Sequence, residues 1–282
     1  MNFRTRFAPS PTGPLHLGHA FSAITAHDMA RRENGTFLLR MDDIDRERSK
    51  PEWEALAYED LTWLGLTWPE PVLRQSRSAP RFETALTRLS ERGLVYPCSC
   101  SRADIENAAS APQEGVPTHG PDGRIYPGTC RGRSMDTRQP GDALRLDMRR
   151  AVESLTKTTV FQETGPEHSG SHALDPADLV HSIGDPVVSR KGGGIAYHVA
   201  VVVDDHDQKI THVVRGTDLF DATRIHVLMQ TLLGLPTPVY HHHDLIRDAD
   251  GKRLAKRDDA RAIRTYRDAG NTPEEVRQMV GL

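Results

Sequence analysis

The stretch that decides the fold is residues 2–19, which read NFRTRFAPSPTGPLHLGH. Asn2 to Phe7 predict a short strand, and the Pro- and Gly-rich residues 9–14 predict a turn-rich loop after it. His16 to Glu33 then have the periodicity of a helix. Because the first backbone N–H groups of a helix attract anions, this order of strand, loop and helix predicts an anion-binding site at the junction.

The residues that follow continue the alternation of strands and helices. Thr36 to Met41 predict a second strand. Pro51 to Leu64 and Pro80 to Arg92 predict amphipathic helices, each opening with Pro near its first turn. Such alternation is typical of an α/β fold built on a parallel sheet.

Later in the chain, Ile195 to Asp205 form a nearly continuous run of apolar, mostly β-branched residues, IAYHVAVVVDD. This run predicts a strand that is buried on both faces of the sheet. Its carboxyl end is then expected to lie at the edge of a binding site. After Gly234 the chain becomes short and helical, with predicted helices over Asp258 to Ala269 and Thr272 to Val280.

A change of pattern marks an insertion between the two halves of this core. From Leu94 to about Arg150 the sequence is rich in Cys, Pro, Gly and Ser and shows little periodicity. We therefore predict four segments: the first half of the core (1–94), an inserted subdomain (95–180), the second half of the core (181–240), and a loop with a helical extension (241–282).

Composition places the chain among ordinary globular proteins and limits its partners. The 39 acidic and 36 basic residues give a net charge of −3, so any contact with RNA requires a local basic patch. Residues 1–6 lack the apolar core of a signal peptide, and the longest apolar run, Ile195 to Val203, is too short to span a bilayer. The 3 Cys argue against a disulfide framework, and the expected location is the cytoplasm.

The first motif with chemical potential is His16-Leu-Gly18-His19 in the strand–loop–helix stretch. Histidine donors can stabilise charge on a phosphate during its transfer, and Gly18 allows a nucleotide to approach the backbone closely. A Pro-rich turn with two surface histidines is the alternative, and it would be preferred for the His pair alone. The flanking Pro- and Gly-rich sequence favours phosphate chemistry instead.

The second motif is the basic loop 250–257, DGKRLAKR, which precedes two acidic residues at a predicted helix start. Four cations within six residues, held over a triphosphate, would neutralise the charge that moves onto pyrophosphate. Alone, such a run more often forms a solvated face. Its pairing with the first motif indicates a role in nucleotide chemistry, with Lys256 the best placed cation.

Five blocks of sequence, in order, closely resemble the class I glutamyl-tRNA synthetases. They are Arg6 to Gly13, His16 to His19, Leu39 to Arg48, Val213 to Leu219 and Arg253 to Arg257. The resemblance extends from residue 3 to about 270 and implies an α/β fold: a Rossmann-type catalytic core with a zinc-bearing insertion and a short C-terminal helical extension.

The resemblance is closest to the short paralogues of this family, the glutamyl-Q tRNA(Asp) synthetases. These lack anticodon-binding domains, and such a domain, on the order of 100 residues or more, would not fit after the motif at 253–257. The resemblance implies activation of glutamate with ATP and Mg²⁺ in the absence of tRNA. It also implies transfer of glutamate to queuosine at the wobble position of tRNA(Asp), by an enzyme expected to be a monomer.

Two alternatives remain at this stage. One is a truncated glutamyl-tRNA synthetase that charges the 3′ end of tRNA(Glu). The other is a non-catalytic RNA-binding module derived from a synthetase, which would not need His16, His19 and Lys256; Ala255, where the family signature has Ser, is compatible with it.

The resemblance also assigns roles to individual residues. The implied catalytic residues are His16, His19 and Lys256. The implied ATP-binding residues are His16, Gly18, His19, Arg253, Leu254 and Lys256. The implied glutamate-binding residues are Arg6, Phe7, Ala8, Pro9, Ser10, Asp42, Tyr197 and Arg215.

Three of these glutamate-pocket assignments have alternatives. Arg6 and Arg215 are suited to a substrate carboxylate because a guanidinium can bind it through two hydrogen bonds, although Arg6 can also be a surface charge. Tyr197 can instead be a core residue. Asp42 departs from the family, which usually has Glu facing the substrate ammonium, and a water or a backbone shift would have to fill the gap left by its shorter side chain.

A third group of residues predicts a zinc site in the insertion. Cys98, Cys100 and Cys130 supply three thiolates of a tetrahedral structural site. The resemblance implies Tyr126 as the fourth ligand, while His119 in the same loop is the chemically easier one. Three buried, inert thiols are the alternative.

Two further polar groups carry weaker expectations. His241, His242 and His243 are consecutive, so their side chains point in different directions and do not predict a metal cluster. Asp204 to Asp207, at the carboxyl end of the predicted buried strand, are candidates for contact with ATP or magnesium and equally for ordinary turn residues.

Overall fold

The computed structural model describes residues 2–108, 117–246 and 262–282. Its strands are β1 (Arg4–Phe7), β2 (Thr36–Met41), β3 (Leu73–Arg74), β4 (Val95–Cys98), β5 (His119–Gly120), β6 (Gly123–Arg124), β7 (Ala143–Leu146), β8 (Val160–Glu163), β9 (Gly170–Ala173), β10 (Val187–Ser189), β11 (His212–Gly216) and β12 (Val239–His243). Its helices are α1 (Leu17–Arg32), α2 (Pro51–Trp63), α3 (Ala79–Glu91), α4 (Arg102–Ala108), α5 (Met148–Glu153), α6 (Pro176–Asp178), α7 (Tyr197–Asp207), α8 (Thr223–Leu233), α9 (Ile263–Asp268) and α10 (Pro273–Met279).

The N-terminal strands form the parallel sheet that the sequence predicts. β1 pairs with β2 in parallel, with Arg4 opposite Thr36, and β2 pairs in parallel with β3. Helix α1 connects β1 to β2 and packs on the sheet through a face that includes the fully buried Ala20, Ala23 and Ile24. The predicted strand at Thr36 to Met41 is confirmed at the same bounds.

The second half of the core continues this sheet. β11 pairs in parallel with β12, and β12 pairs in parallel with β8. The Thr211 N–H, just before β11, donates a 2.9 Å hydrogen bond to the Arg4 carbonyl, so β1 and β11 lie side by side. This mostly parallel sheet agrees with the predicted α/β core, although β8 falls within residues 95–180, the range predicted as the insertion.

Residues 95–180 form a small sheet together with the strand that follows them. β4, β7 and β10 are antiparallel, so β10, predicted in the second half of the core, pairs with a strand of the predicted insertion, and β5 and β6 form a short hairpin. Part of this sheet belongs to a main apolar core, through Val95, Leu144, Leu146 and Val188. A small separate cluster consists of Tyr96, Cys98, Tyr126 and Cys130.

The prediction of a strand at Ile195 to Asp205 is wrong, because most of these residues lie in helix α7, Tyr197–Asp207. Helix α7 is covered on all sides, with the five residues from Val199 to Val203 all buried. A helix buried all round carries no polar stripe, so its sequence is as apolar as a buried strand. The expected binding edge at Asp204 is therefore absent, and this helix instead packs against α3 and α8.

The C-terminal helices pack against the N-terminal half of the core. Ile263 of α9 and Val276 of α10 are buried in the same apolar cluster as helix α1. Helix α10 confirms the predicted start near Thr272, whose hydroxyl accepts the Glu275 N–H while Glu275 caps the Thr272 N–H. The predicted helix at Asp258 to Ala269 is seen only over Ile263–Asp268, since residues 247–261 lie outside the described part of the chain.

Within the described residues, every helix is too short or too polar to cross a membrane.

Candidate active site

The candidate active site is a cleft of about 330 Å³ where β1 ends, α1 begins and β11 ends. The structure brings together in its lining most residues assigned from sequence: Arg6, Phe7, Ala8, Ser10, His16, Gly18, His19, Asp42, Tyr197 and Arg215. Pro9 is buried behind the cleft and holds the loop, because its carbonyl accepts the Asp42 N–H at 3.0 Å. The assigned Arg253, Leu254 and Lys256 lie outside the described residues.

His16 and His19 begin helix α1 and cap it. Nδ1 of His16 accepts the Gly18 N–H at 3.1 Å, and Nδ1 of His19 accepts the His16 N–H at 3.1 Å. Since both Nδ1 atoms are acceptors, each neutral ring carries its proton on Nε2. The rings lie 3.8 Å apart. The capping geometry therefore fixes two Nε2–H donors in the lining of the cleft.

Gly18 is packed closely against the His16 ring. A Cβ atom at this position would lie 3.1 Å from Cε1 of His16. A larger residue would therefore have to displace the His16 ring by a few tenths of an ångström.

Arg6 belongs to a buried network of charges behind the cleft. Its Nε and Nη2 donate to the two carboxylate oxygens of Asp205 at 2.9 and 3.1 Å. Arg40, which is fully buried, donates from Nη1 to Asp205 at 2.6 Å and from Nε to Asp42 at 2.7 Å. Two guanidinium groups thus face two carboxylates, which satisfies the charges without water.

The network leaves one edge of Arg6 for a ligand. Because Asp205 occupies the Nε side, the Nη1–Nη2 edge of Arg6 remains toward the cleft. Burial opposes the charge on Asp205, yet Arg6 and Arg40 hold the pKa of this carboxyl below its usual value. Arg6 is therefore an ion-paired, buried side chain and not a surface charge.

Asp42 lies at the end of β2 and is only 6% exposed. Burial raises its pKa, and Arg40 opposes that rise. Arg40 engages Oδ1 closely, whereas its Nη2 is 3.5 Å from Oδ2. Asp42 thus reaches the cleft while it is anchored from behind.

The acidic group Asp204 to Asp207 supports the fold. Asp205 joins the buried network, and Asp207 pairs with Arg81 at 2.9 Å. Asp204 is fully buried and accepts the side-chain amide of Gln75 at 3.1 Å. None of these four residues lines the cleft.

Arg215, at the end of β11, is held by four of its own hydrogen bonds. Nε donates to Nε2 of His242 at 3.0 Å, and Nη1 donates to Nδ1 of His226 at 3.1 Å. Nη2 donates to the Leu219 carbonyl and to the Thr223 hydroxyl, at 3.3 and 2.7 Å. A guanidinium has five N–H bonds, so one Nη1 hydrogen remains for the cleft.

The three consecutive histidines of β12 point in different directions, as expected for alternating side chains, and do not form a metal cluster among the described residues. His242 supports Arg215, whereas His243 lines the cleft and accepts the Ser22 hydroxyl at 2.7 Å. Sequence reasoning missed His243 and Ser22 as lining residues. It also missed His226, which nothing in its local sequence connects to a site.

Among the described residues, the one group of three or more metal-ligating side chains is Cys98, Cys100 and Cys130, whose sulfurs lie within 4.8 Å of one another. The Tyr126 hydroxyl lies 3.4 Å from the Cys98 sulfur and 3.3 Å from the Cys100 sulfur. A tetrahedral zinc with bonds of about 2.3 Å to sulfur needs ligand atoms about 3.8 Å apart. The four side chains therefore fit such an ion.

His119 is placed differently from these four side chains. It is exposed on β5, its Nδ1 lies 3.0 Å from the Thr118 hydroxyl, and it does not belong to the thiol group. Burial opposes ionisation of Cys130, but hydrogen bonds from the Tyr126 hydroxyl and from Ser99 lower its pKa to about 6. The geometry thus favours Tyr126 as the partner of the thiols.

The fold and the cleft define the catalytic domain of a class I aminoacyl-tRNA synthetase. The family described as tRNA synthetases class I (E and Q), catalytic domain, matches residues 2–282. The Glutamyl-Q tRNA(Asp) synthetase of Rhodobacter capsulatus is 58% identical over 99% of both chains. The Geobacter sulfurreducens protein of the same name is 41% identical over 93% of this chain and 78% of its own. The chain therefore belongs to the glutamyl-Q tRNA(Asp) synthetase family.

Solved structures agree with this assignment. A glutamate tRNA ligase from Elizabethkingia meningosepticum, solved in complex with its amino acid, is 26% identical and matches with a TM-score of 0.72. The match covers 92% of this chain and 53% of the ligase, so the chain spans about half of that protein. Methionyl-tRNA synthetase of Mycobacterium tuberculosis, at 10% identity and a TM-score of 0.60, shares the fold.

Proposed function

We propose that the protein activates glutamate with ATP in the absence of tRNA and transfers it to queuosine at the wobble position of tRNA(Asp). The observation that carries the first step is one cleft that holds two anchored guanidinium groups beside two Nε2–H imidazoles. Cationic forks suit a dicarboxylic amino acid, and fixed N–H donors suit a phosphate. The names of the relatives support the second step.

In the proposed complex, the Nη1–Nη2 edge of Arg6 and the remaining Nη1 hydrogen of Arg215 bind the side-chain carboxylate of glutamate. Asp42 faces its ammonium group, and Tyr197 closes the cleft beside it. Both guanidinium groups are fixed by buried partners, so little conformational freedom is lost when glutamate binds. Phe7, Ala8 and Ser10 shape the remaining wall.

Activation joins the α-carboxylate of glutamate to the α-phosphorus of ATP, and pyrophosphate leaves with its electrons. The Nε2–H groups of His16 and His19 donate to the phosphate oxygens as charge develops there. Arg253, Leu254 and Lys256 are proposed to hold ATP from the second motif. Mg²⁺ accompanies ATP and offsets charge on its phosphates.

Transfer requires a hydroxyl and an acceptor for its proton. One hydroxyl of the queuosine diol attacks the acyl carbon of the adenylate to form the ester, the bond to the phosphate oxygen breaks, and AMP leaves as its phosphate takes up the hydroxyl proton. A vicinal diol resembles the terminal ribose that related enzymes acylate, so the same cleft chemistry would serve both. Monomeric state and cytoplasmic location remain predictions from sequence.

We also propose a structural zinc ion held by Cys98, Cys100, Tyr126 and Cys130. When bound, zinc would cross-link β4 to the segment before β7 and stabilise the insertion. The small cluster around the thiols, which is separate from the two main apolar cores, supports this role.

Exchange of labelled pyrophosphate into ATP tests the activation step. We expect exchange with glutamate alone, without tRNA, and little with aspartate or glutamine, because in the proposed complex two guanidinium groups bind the side-chain carboxylate, which glutamine lacks and which aspartate carries one methylene closer to its backbone. Equal exchange with aspartate or glutamine would contradict the assignment of glutamate as the amino acid that is activated.

The same assay tests the second motif. Lys256→Ala should reduce the exchange rate by about 100-fold or more with little change in glutamate affinity, because this cation acts on charge present mainly in the transition state. Lys252→Ala, four residues earlier in the same motif, is the matched control and should cost much less. A rate for Lys256→Ala within threefold of the unaltered protein would reject the role of Lys256.

A further inference from the structure

Arg215 is the start of two buried chains of hydrogen bonds that run away from the cleft. One chain passes through His242 to Glu163 on β8. The other passes through His226 and His198 to Asp122, in the turn of the β5–β6 hairpin. Arginine can only donate and an ionised carboxylate can only accept, so the chemistry of both ends is fixed.

In the shorter chain, these ends determine which nitrogen of the His242 ring carries the proton. Nε2 of His242 accepts from Arg215, so the proton of the neutral ring is on Nδ1 and is donated to Glu163. Burial opposes the charge on Glu163, but hydrogen bonds from the His242 ring and from the backbone N–H groups of His242 and Gly165 lower its pKa to about 2. Glu163 is therefore an ionised acceptor.

The longer chain is fixed in the same way. Nδ1 of His226 accepts from Arg215, so its proton is on Nε2 and is donated to Nδ1 of His198 at 3.0 Å. His198 must then carry its proton on Nε2 and donate it to Asp122, also at 3.0 Å. Each bond in the chain thus depends on the one before it.

The two ends of the longer chain differ in how far they are buried. His226 is 2% exposed, and burial, aided by the charge of Arg215, holds its pKa well below the usual value. His226 is therefore neutral and available as an acceptor. Asp122, in contrast, is 42% exposed at its side chain and belongs to the insertion that carries the thiol group. The chain thus connects the surface of the insertion to an arginine of the cleft.

We propose that His226 and His198 are positioning residues that orient Arg215, and that Asp122 makes glutamate recognition depend on the position of the β5–β6 hairpin. This proposal rests on the proposed function. If the hairpin moves away, His198 loses the acceptor that fixes its proton on Nε2. The bonds from Arg215 through His226 to His198 then lose the charged acceptor that polarises them, so His226 holds Nη1 of Arg215 less firmly.

Two variants of His226 separate positioning from packing. The Oδ1 atom of Asn occupies the place of Nδ1, so His226→Asn keeps the acceptor for Arg215, whereas Gln places its amide at the position of Nε2. A hydrogen bond to a charged group is worth roughly 10- to 100-fold in affinity. We expect KM for glutamate to rise by roughly that factor in His226→Gln and by only about threefold to tenfold in His226→Asn, which keeps the acceptor but loses the rest of the chain, with kcat and KM for ATP nearly unchanged. Equal effects of both variants would reduce His226 to a packing residue.

The role of Asp122 is tested by a double-mutant cycle. Asp122→Ala should raise KM for glutamate by about threefold to tenfold, the range expected for one hydrogen bond, while Asp122→Asn retains an acceptor and should stay near the unaltered protein. In the His226→Asn background, where the chain is already cut, Asp122→Ala should have no further effect. Asp136→Ala, on another exposed turn of the insertion, is the control. Additive effects of Asp122→Ala and His226→Asn would overturn the coupling.

Nitrogen-15 NMR of the histidine rings provides a readout that does not need turnover. It should show His226 and His198 with protons on Nε2 and His242 with its proton on Nδ1, and Asp122→Ala should disturb His198 and His226 but leave His242 unchanged. Any other proton position on His226 would overturn the proposal. Correct proton positions in a protein without glutamate-dependent exchange would instead reject the proposed function and leave the hydrogen-bond chain in place.

Discussion

Arg215→Lys is expected to lose about 100- to 1000-fold in kcat/KM for glutamate, because truncating a buried charged partner costs about 3 to 4 kcal/mol. A lysine cannot donate to His242, His226, Thr223 and a substrate at once, and its ammonium cannot reproduce the planar fork. The histidine acceptors that remain would be buried without their donor. The loss should be seen by pyrophosphate exchange over a range of glutamate concentrations.

The control for this variant is Arg149→Lys, an exposed arginine on α5. It should retain the exchange activity of the unaltered protein. KM for ATP should stay nearly constant in both variants. If Arg215→Lys kept kcat/KM for glutamate within threefold, Arg215 would not bind the amino acid.

Cys98→Ala should release zinc and weaken the fold. With free zinc about 1000-fold above its Kd, the loss of binding removes about 4 kcal/mol of stability, or roughly 10 °C in Tm for a chain of this size. Metal analysis of protein purified without a His tag should fall from about one zinc per chain to nearly none. The Tm measured by thermal unfolding should fall in parallel.

Removal of zinc with a chelator should have the same effect on the unaltered protein as the Cys98→Ala substitution. It should lower the Tm of the unaltered protein to that of Cys98→Ala and leave the variant unchanged. Thr158→Ala, at an exposed position outside the thiol group, should keep both metal and Tm. An unaltered protein that binds no zinc would leave three buried thiols as the correct interpretation.

Local pattern was sufficient for the N-terminal half of the fold. Residues 36–41 form β2 at the predicted bounds, and Pro51 begins α2 at the position where a proline costs no hydrogen bond. Helix α7 could not be predicted in the same way. Its Val-rich sequence is set by contacts on every side, and those contacts come from distant residues such as those of α3 and α8.

The same distinction between local and non-local patterns applies to the residues of the candidate active site. His16, Gly18 and His19 are close in sequence, so their motif was visible and the structure shows them as one cap. The partners that hold Arg6 and Arg215 include residues of other elements: Asp205 is 199 residues from Arg6, and His226, 11 residues from Arg215, belongs to helix α8. Buried pairing of this kind depends on the fold and leaves no local pattern.

The place where glutamate is attached tests the proposed function most directly. Labelled glutamate is incubated with ATP, the protein and tRNA(Asp) with or without queuosine, and the charged tRNA is cut with nuclease into separate arms. The proposed function predicts label in the anticodon fragment, and only when queuosine is present. Label at the 3′ terminal adenosine would contradict it and would identify the protein as an enzyme that charges the acceptor end.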